Sequence, residues 1–243
     1  MSESRQLPLT MPPRTALGAS DFAMTPANAD AVAMLSAPGR WPRGRLALVG
    51  PPGAGKTHLV RMLFAEGDAH LIEPADVIAH APPAHARHAL VILECAERVA
   101  GNHAAESALF HLYNLLGEQG GRLLLTAQQT PAQWPLALPE LASRLATVGV
   151  VRIDPDEGLV VAVMLKAAED RGIDLAPDAI TYLMTRIERD LGSVHALIAA
   201  LDAKATGRKR RHVTKRLAGE CLRELYLSGE TADEPGHAAD AQE

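Results

Sequence analysis

Aromatic residues and cysteine are scarce in this sequence. Phe, Trp and Tyr make up 3% of the 243 residues, whereas hydrophobic residues as a whole make up 47%, so the core must be built from aliphatic side chains. The two cysteines, Cys95 and Cys221, are too few for a disulfide framework and suit a reducing compartment. The composition therefore predicts a cytoplasmic protein without structural disulfides.

Other features that would define a class of protein are missing as well. No apolar run approaches the roughly 20 residues that span a bilayer, and the polar N-terminus does not resemble a signal peptide, so we expect no membrane association. The ten histidines lack metal-binding spacing, which predicts no metal site made of protein side chains alone. The net charge of −5 gives the whole chain no general attraction to nucleic acid.

What the sequence does contain is a phosphate-binding motif. The stretch GPPGAGKTH, residues 50–58, satisfies the P-loop pattern G-x-x-x-x-G-K-[ST] between a strand-like run at 45–49 and a helical pattern at 58–64. In such a loop, backbone N–H groups surround the β-phosphate, Lys56 reaches the β- and γ-phosphates, and Thr57 offers its hydroxyl to Mg²⁺. The motif predicts a site for ADP or ATP with Mg²⁺, formed by Gly50, Pro51, Pro52, Gly53, Ala54, Gly55, Lys56, Thr57 and His58.

The order of strand and helix patterns predicts the fold class. Strand-like runs at 45–49, 69–72, 88–93, 121–126 and 147–153 alternate with helices, which is typical of a parallel sheet with helices on both faces. After Asp154 we expect no further strands, only helices at 157–172, 177–190, 192–205 and 214–226. The predicted architecture is an α/β P-loop domain followed by a small helical lid.

These patterns divide the chain into four parts. We predict an extended arm over 1–20, a nucleotide-binding α/β domain over 21–153, a lid over 154–227 and a disordered acidic tail over 228–243.

The groups that would support hydrolysis are unusual. A P-loop enzyme needs an acid at the tip of a neighbouring strand to position Mg²⁺, and Glu94 follows the apolar run 89–93. The next residue, Cys95, is a poor group for orienting water, and Glu97 is a possible substitute. Alternatively, Glu94 is a surface acid that ends a buried strand and Cys95 is a small buried residue. We expect slow intrinsic hydrolysis.

Several segments together resemble a known family. The P-loop, LECAERVAG at 93–101, ALFHLYN at 108–114, LLT at 124–126, Pro131 and LPELASRL at 138–145 are similar in order and spacing to the AAA+ domain of the DnaA family, and most of all to its short Hda-type (HdaA) regulators. The resemblance runs from about residue 7 to residue 227. DnaA itself carries a further helix-turn-helix domain, which we do not expect here because no second periodic region follows the lid.

The resemblance implies roles for individual residues. Arg144 falls where the family places an arginine finger, which acts across a subunit interface, and Gln128 matches sensor 1, which detects the γ-phosphate. Gly192 stands where DnaA has the arginine of its second sensor, with Arg186 or Arg189 as possible replacements. Arg144 could alternatively be an ordinary arginine at a helix end.

The resemblance also implies partners. Gln6-Leu7-Pro8-Leu9 is similar to the peptide by which Hda-type proteins bind the DNA polymerase III sliding clamp (beta subunit). The implied function is regulatory inactivation of DnaA: docked on DNA through the clamp, the protein would stimulate hydrolysis of DnaA-bound ATP. A homodimer is possible. The alternatives are a stand-alone ATPase of the DnaC loader type and a non-catalytic adaptor. The basic run 208–211 either touches DNA or is a solvated loop.

Overall fold

The structure is a computed structural model of the chain. It describes residues 23–64, 67, 69–187, 190–205 and 212–230. The following parts of the sequence predictions lie outside the described residues: the arm 1–20 with Gln6, Leu7, Pro8 and Leu9, Arg189, the basic run 208–211, and the tail from 231 onward.

A five-stranded parallel sheet forms the centre of the α/β domain, as predicted. The strand order is β2-β3-β4-β1-β5, and every neighbouring pair is parallel. The strands are β1 (Arg45–Val49), β2 (Ala69–Ile72), β3 (Leu90–Leu93), β4 (Arg122–Ala127) and β5 (Gly149–Arg152). Strand β1 lies between β4 and β5, so the P-loop that follows it lies between the ends of these two strands.

Helices cover both faces of this sheet. They are α1 (Pro26–Leu35), α2 (Lys56–Phe64), α3 (Pro74–Ala79), α4 (Pro82–Ala86), α5 (His103–Glu118) and α6 (Pro139–Leu145). Proline stands at the first position of α1, α3, α4 and α6, where its missing N–H costs no hydrogen bond. Helix α5 is capped by Asn102, whose side chain accepts a hydrogen bond from the N–H of Ala105 at 3.1 Å.

The strands separate two hydrophobic cores. Leu46 and Leu48 of β1 belong to the core shared with α1, α2 and the lid, whereas Ala47 and Val49 belong to the core shared with α3 to α6. Successive strand residues point to opposite faces, so a strand that is buried on both faces consists almost entirely of apolar residues. This explains why the three inner strands β3, β4 and β1 are recognisable as apolar runs.

The lid contains the four predicted helices, with different ends. They are α7 (Glu157–Glu169), α8 (Pro177–Met184), α9 (Leu191–Ala205) and α10 (Lys215–Glu230), so the last helix continues three residues beyond 227. None of the helices in the described ranges is long and apolar enough to cross a membrane.

The expectation that no strand follows Asp154 is wrong. Two short strands, β6 (Asp174–Leu175) and β7 (His212–Val213), pair in parallel inside the lid. Leu175 and Val213 are buried, and the imidazole Nδ1 of His212 lies 2.7 Å from Oδ2 of Asp174. Two residues are too few to show a strand periodicity, so the sequence pattern could not reveal this pair.

Candidate nucleotide-binding site

Glycine gives the P-loop the shape that its position requires. Gly53 and Gly55 have φ angles of +69° and +83°, in the left-handed region that residues with a Cβ atom rarely adopt. A Cβ on Gly50 would lie 2.3 Å from the carbonyl oxygen of Ile153, just beyond β5. The loop therefore fits between β1 and α2 only with these glycines, and it leaves backbone N–H groups at the start of α2, where a phosphate group would bind.

Lys56 lies over this loop. Its ammonium donates hydrogen bonds to the carbonyl oxygens of Gly50 at 2.7 Å and Pro51 at 2.8 Å. Burial lowers the pKa of Lys56, and the nearby Glu97 carboxylate partly opposes that shift. Lys56 is therefore placed where a bound phosphate would meet it, with the acidic edge of β3 nearby.

Glu94 fits the proposed magnesium role. It is only 7% exposed and so is not the surface acid of the alternative interpretation. Its Oε2 lies 3.6 Å from the guanidinium of Arg61, which is one turn beyond Thr57 on α2, while its buried Oε1 has no hydrogen-bond partner. A buried carboxylate oxygen without a partner is costly unless it gains a ligand, and Mg²⁺ prefers oxygen ligands. The donor set of Thr57 and Glu94 is therefore compatible with a nucleotide-bound magnesium ion.

Cys95 is exposed, so the interpretation that it is a small buried residue is wrong. Its backbone has φ 50° and ψ 43°, a left-handed conformation that turns the chain out of the sheet directly after β3. Its N–H donates to the hydroxyl of Thr126 on β4 at 3.2 Å. The position that usually carries a water-orienting acid therefore presents a thiol to solvent.

Glu97 is joined to the sensor position. One carboxylate oxygen of Glu97 accepts a hydrogen bond from the N–H of Gln128 at 3.2 Å, and the other is buried without a partner. Gln128 follows β4 directly and is exposed. The structure thus places Glu97 in contact with Gln128 and close enough to Lys56 for its charge to raise the pKa of that lysine.

The lid contacts the P-loop through residues that the sequence analysis did not assign to the site. The N–H of Leu191 donates to the carbonyl oxygen of Gly53 at 2.9 Å. A Cβ on Gly53 would lie only 1.4 Å from Oδ1 of Asp190, so this carboxylate rests on the loop. An aspartate just before the helical pattern at 192–205, a common helix cap, was the available signal for Asp190.

Asp190 also organises the start of α9. It accepts hydrogen bonds from the N–H groups of Gly192 at 2.9 Å and Ser193 at 3.0 Å. Burial raises the pKa of Asp190, but the hydrogen bonds from these two residues outweigh it and leave the pKa below its usual value. The start of α9, where DnaA has a sensor arginine, therefore carries an anion here. Arg186 does not replace that arginine at the loop in this structure, since its guanidinium stacks on the ring of Tyr182 at 4.0 Å.

Arg144 stands in a different environment. Leu141 and Leu145 anchor α6 in the second core, being 0% and 1% exposed, whereas Arg144 between them is exposed. Among the described residues its guanidinium has no hydrogen-bond or ion-pair partner. The helix is fixed and its arginine is available to another molecule.

Comparison with known proteins shows what the lid and the fold of the chain are similar to. Residues 156–215 match the family model "Hda, lid domain". The fold matches domain III of the Thermotoga maritima replication initiation protein DnaA with a TM-score of 0.73 and 18% identity, over 88% of this chain and 98% of that one. The lid therefore matches the Hda family, and the chain as a whole has the fold of a DnaA-type AAA+ domain.

Two further solved structures have the same fold. The AMPPCP-bound DnaA from Aquifex aeolicus matches with a TM-score of 0.68 and 15% identity, over 89% of this chain and 71% of that one. The Thermotoga maritima RuvB Holliday junction branch migration motor matches with a TM-score of 0.57 and 15% identity, over 75% of this chain and 62% of that one. Such identities show the fold, and only the lid match is specific to Hda.

Proposed function

We propose that this protein inactivates the replication initiator DnaA by stimulating hydrolysis of ATP that DnaA holds. Arg144 would enter the nucleotide site of DnaA across a shared interface and neutralise charge that develops on the transferring phosphoryl group. An arginine in this role is worth about 10³–10⁵-fold in rate. The product, ADP-bound DnaA, would no longer initiate replication.

The observation that carries the proposal is the environment of Arg144. An arginine finger needs a rigid support and an unengaged guanidinium, because it acts only if it reaches the transition state without first breaking contacts of its own. Helix α6 is anchored by two buried leucines, and the guanidinium of Arg144 has no partner within the described part of the chain. The Hda-type lid supports the choice of DnaA as the partner.

In this proposal the protein's own nucleotide site serves mainly to hold the lid. Bound ADP or ATP with Mg²⁺ would supply the phosphate charge that Lys56, Thr57 and Glu94 are placed to bind. The contacts of Gly53 with Asp190 and Leu191 join that loop to α9. With Cys95 in place of an acid, the chain has no strong water-orienting group at the usual position.

We further propose that the protein reaches DnaA on DNA by docking on the sliding clamp through Gln6-Leu7-Pro8-Leu9. This step rests on the sequence alone. Changing Leu7 and Leu9 to Ala should remove clamp binding in a pull-down without changing the thermal midpoint. Clamp binding equal to wild type would exclude this peptide as the docking site.

The deciding experiment follows the decay of radiolabelled ATP bound to DnaA in a single turnover, with DNA-loaded clamp and saturating amounts of this protein. Saturation prevents weakened docking from being mistaken for lost chemistry. Arg144→Ala should lose most of the stimulation, whereas Arg40→Ala, a change of another exposed arginine, should not. A rate for Arg144→Ala within about threefold of wild type, a difference below about 1 kcal/mol, would favour the non-catalytic adaptor instead.

A further inference from the structure

A fully buried carboxylate lies beneath the helix that carries Arg144. Glu106 belongs to α5 and is 0% exposed. Its Oε1 accepts hydrogen bonds from the N–H groups of Gly101 at 2.8 Å and Ala137 at 3.1 Å, and its Oε2 accepts one from the N–H of Leu138 at 2.7 Å. Both carboxylate oxygens are therefore satisfied by backbone groups from two separate loops.

These loops border the candidate site. Gly101 ends the turn that follows β3 and contains Glu94 and Glu97, and Leu138 is the cap residue of α6. No side chain of the capping residue of α6 satisfies its first N–H groups. Glu106 of α5, about 30 residues earlier in the chain, accepts from the N–H groups of the cap residue Leu138 and of Ala137 before it, and so holds the chain where it enters α6.

The charge on Glu106 has a structural cause. Burial raises the pKa of Glu106. The hydrogen bonds from Ala137, Gly101 and Leu138, with a smaller contribution from His103, lower the pKa by more than burial raises it, so it lies below its usual value. A buried carboxylate is costly unless several charge-assisted hydrogen bonds compensate it. These hydrogen bonds form only if the N–H groups of residues 137 and 138 point at the carboxylate. The charged side chain therefore fixes the conformation of this segment.

We propose that Glu106 is a positioning residue for Arg144: by holding the N–H groups of Ala137 and Leu138, it fixes the start of α6 and hence the direction in which α6 presents the guanidinium. The inference rests on the proposed finger role of Arg144. Helix α6 has only seven residues, so a shift at its start is carried to Arg144 with little internal correction. Misplacement of a catalytic group by about 1 Å can cost about 100-fold in rate.

The test uses Glu106→Gln, which keeps the shape of the side chain but places an amide N–H₂ group among backbone donors. We expect the single-turnover rate of DnaA-bound ATP at saturating protein to fall by about tenfold or more, with little change in the concentration that gives half the effect. In the Arg144→Ala background, Glu106→Gln should cause no further loss, because the two residues act through one group.

Asn102→Ala is the matched control. It removes the cap of the same helix, α5, and its hydrogen bond to Ala105, but it leaves the segment 137–138 untouched. It should lower the thermal midpoint without lowering the saturated rate. An equal rate loss in Asn102→Ala would show that general loosening of α5, not the contact with α6, is responsible, and would overturn the proposal.

Amide hydrogen exchange separates this inference from the proposed function. Glu106→Gln should speed exchange in 137–145 more than Asn102→Ala does, whatever Arg144 acts on. Unchanged exchange there overturns the positioning role, whereas faster exchange with a wild-type rate for Arg144→Ala overturns the finger role alone. If Glu106→Gln does not fold, Leu138→Pro removes one donor from the other side at a residue with φ −91°, and the same rate loss is required of it.

Discussion

The two cations on which the proposed function depends, Lys56 and Arg144, lie in opposite environments. Lys56 is half-buried, donates two hydrogen bonds within its own loop, and has the lid residues Asp190 and Leu191 beside that loop. Arg144 is exposed, and its guanidinium has no partner among the described residues. The contrast is what the proposed function requires: Lys56 would bind the protein's own nucleotide, and Arg144 would act in a site on another molecule.

The acids of the sheet edge support the same division. Glu94 and Glu97 each keep a buried oxygen without a partner close to the P-loop, so this region can hold a cation beside phosphate. Cys95, which stands where a water-orienting acid is expected, is exposed and turned out of the sheet. Groups that can bind phosphate and a cation are thus present beside the P-loop, whereas the position of the water-orienting acid carries an exposed thiol.

For the isolated protein, the largest expected effect is the loss of nucleotide binding in Lys56→Ala. The β-phosphate loses its mobile cation, so we expect the affinity for ADP and ATP to fall on the order of 100-fold or more. Isothermal titration calorimetry on the purified protein measures this directly.

Arg144→Ala is the matched variant for this experiment and should bind nucleotide as wild type does. The pair then separates the two cations: one variant loses its own ligand, and the other loses only the stimulation of DnaA. Tight nucleotide binding by Lys56→Ala, or weak binding by Arg144→Ala, would break the comparison.

The next effect concerns the contact between lid and P-loop. Gly53→Ala should lower both the thermal midpoint and nucleotide affinity, because its Cβ would collide with the carboxylate of Asp190, which caps α9. We expect a loss of about 2 kcal/mol, from the strained φ and the disturbed cap together.

Gly120→Ala provides the control for strain alone. Its φ is +71°, similar to that of Gly53, but nothing lies within 4 Å of the added Cβ. It should cost about 1 kcal/mol and leave nucleotide affinity unchanged. Equal effects of the two substitutions would mean that the lid does not depend on its contact with Gly53.

The sequence revealed the P-loop side of the site better than the lid side, for a physical reason. The residues 50–57 function as one continuous loop, so their spacing is fixed in the sequence. The contact of Asp190 with Gly53 depends on how the lid packs, and the bonds of Glu106 to Ala137 and Leu138 join loops 31 and 32 residues away. No local pattern encodes such distant pairs.

Strand and helix ends show the same limit. The strand predicted over 147–153 is shorter in the structure, because Val148 and Ile153 are buried outside β5 and extend its apolar run. Burial and strand pairing produce the same composition, so a single sequence does not separate them. The alternation of strands and helices was nevertheless sufficient for the parallel sheet, which the structure confirms.

A smaller effect should follow from restoring an acid beside the P-loop. Cys95→Asp should raise intrinsic ATP hydrolysis by about tenfold. This is less than the roughly 100-fold or more that a well-placed general base contributes, because the position is exposed. Aspartate tolerates the left-handed conformation of Cys95, at φ 50°, better than most residues. Steady-state phosphate release by the isolated protein measures the gain.

Cys95→Asn is the control, since asparagine has the same shape and the same tolerance of this backbone but no charge. It should leave the slow turnover unchanged. Fast turnover by the unmodified protein, or equal turnover in both variants, would show that Cys95 does not limit hydrolysis.

The smallest expected effect is a loss of stability in mild acid where the lid meets α2. The rings of His58 on α2 and His195 on α9 lie 6.1 Å apart. Burial lowers the pKa of His58 below 6.5, and burial together with the charges of His58 and Arg171 lowers the pKa of His195, which Asp170 partly opposes. The folded state therefore favours both neutral rings.

Because the pKa is lower in the folded state, the unfolded chain takes up more protons once the pH falls below about 6.5, and stability that is complete above this value declines as the pH passes down through the folded pKa. Both side chains remain partly exposed, so solvent screens them, and we expect the thermal midpoint to fall by only about 1–2 °C through this pair between about pH 7.5 and 5.5. Replacing His195 by Gln should remove this part of the decline. His111→Gln, a change on the exposed face of α5, should leave the decline as it is, which separates the lid contact from titration elsewhere, including that of His70. An identical pH dependence in His195→Gln and wild type would mean that protonation of His195 does not destabilise the contact between α2 and α9.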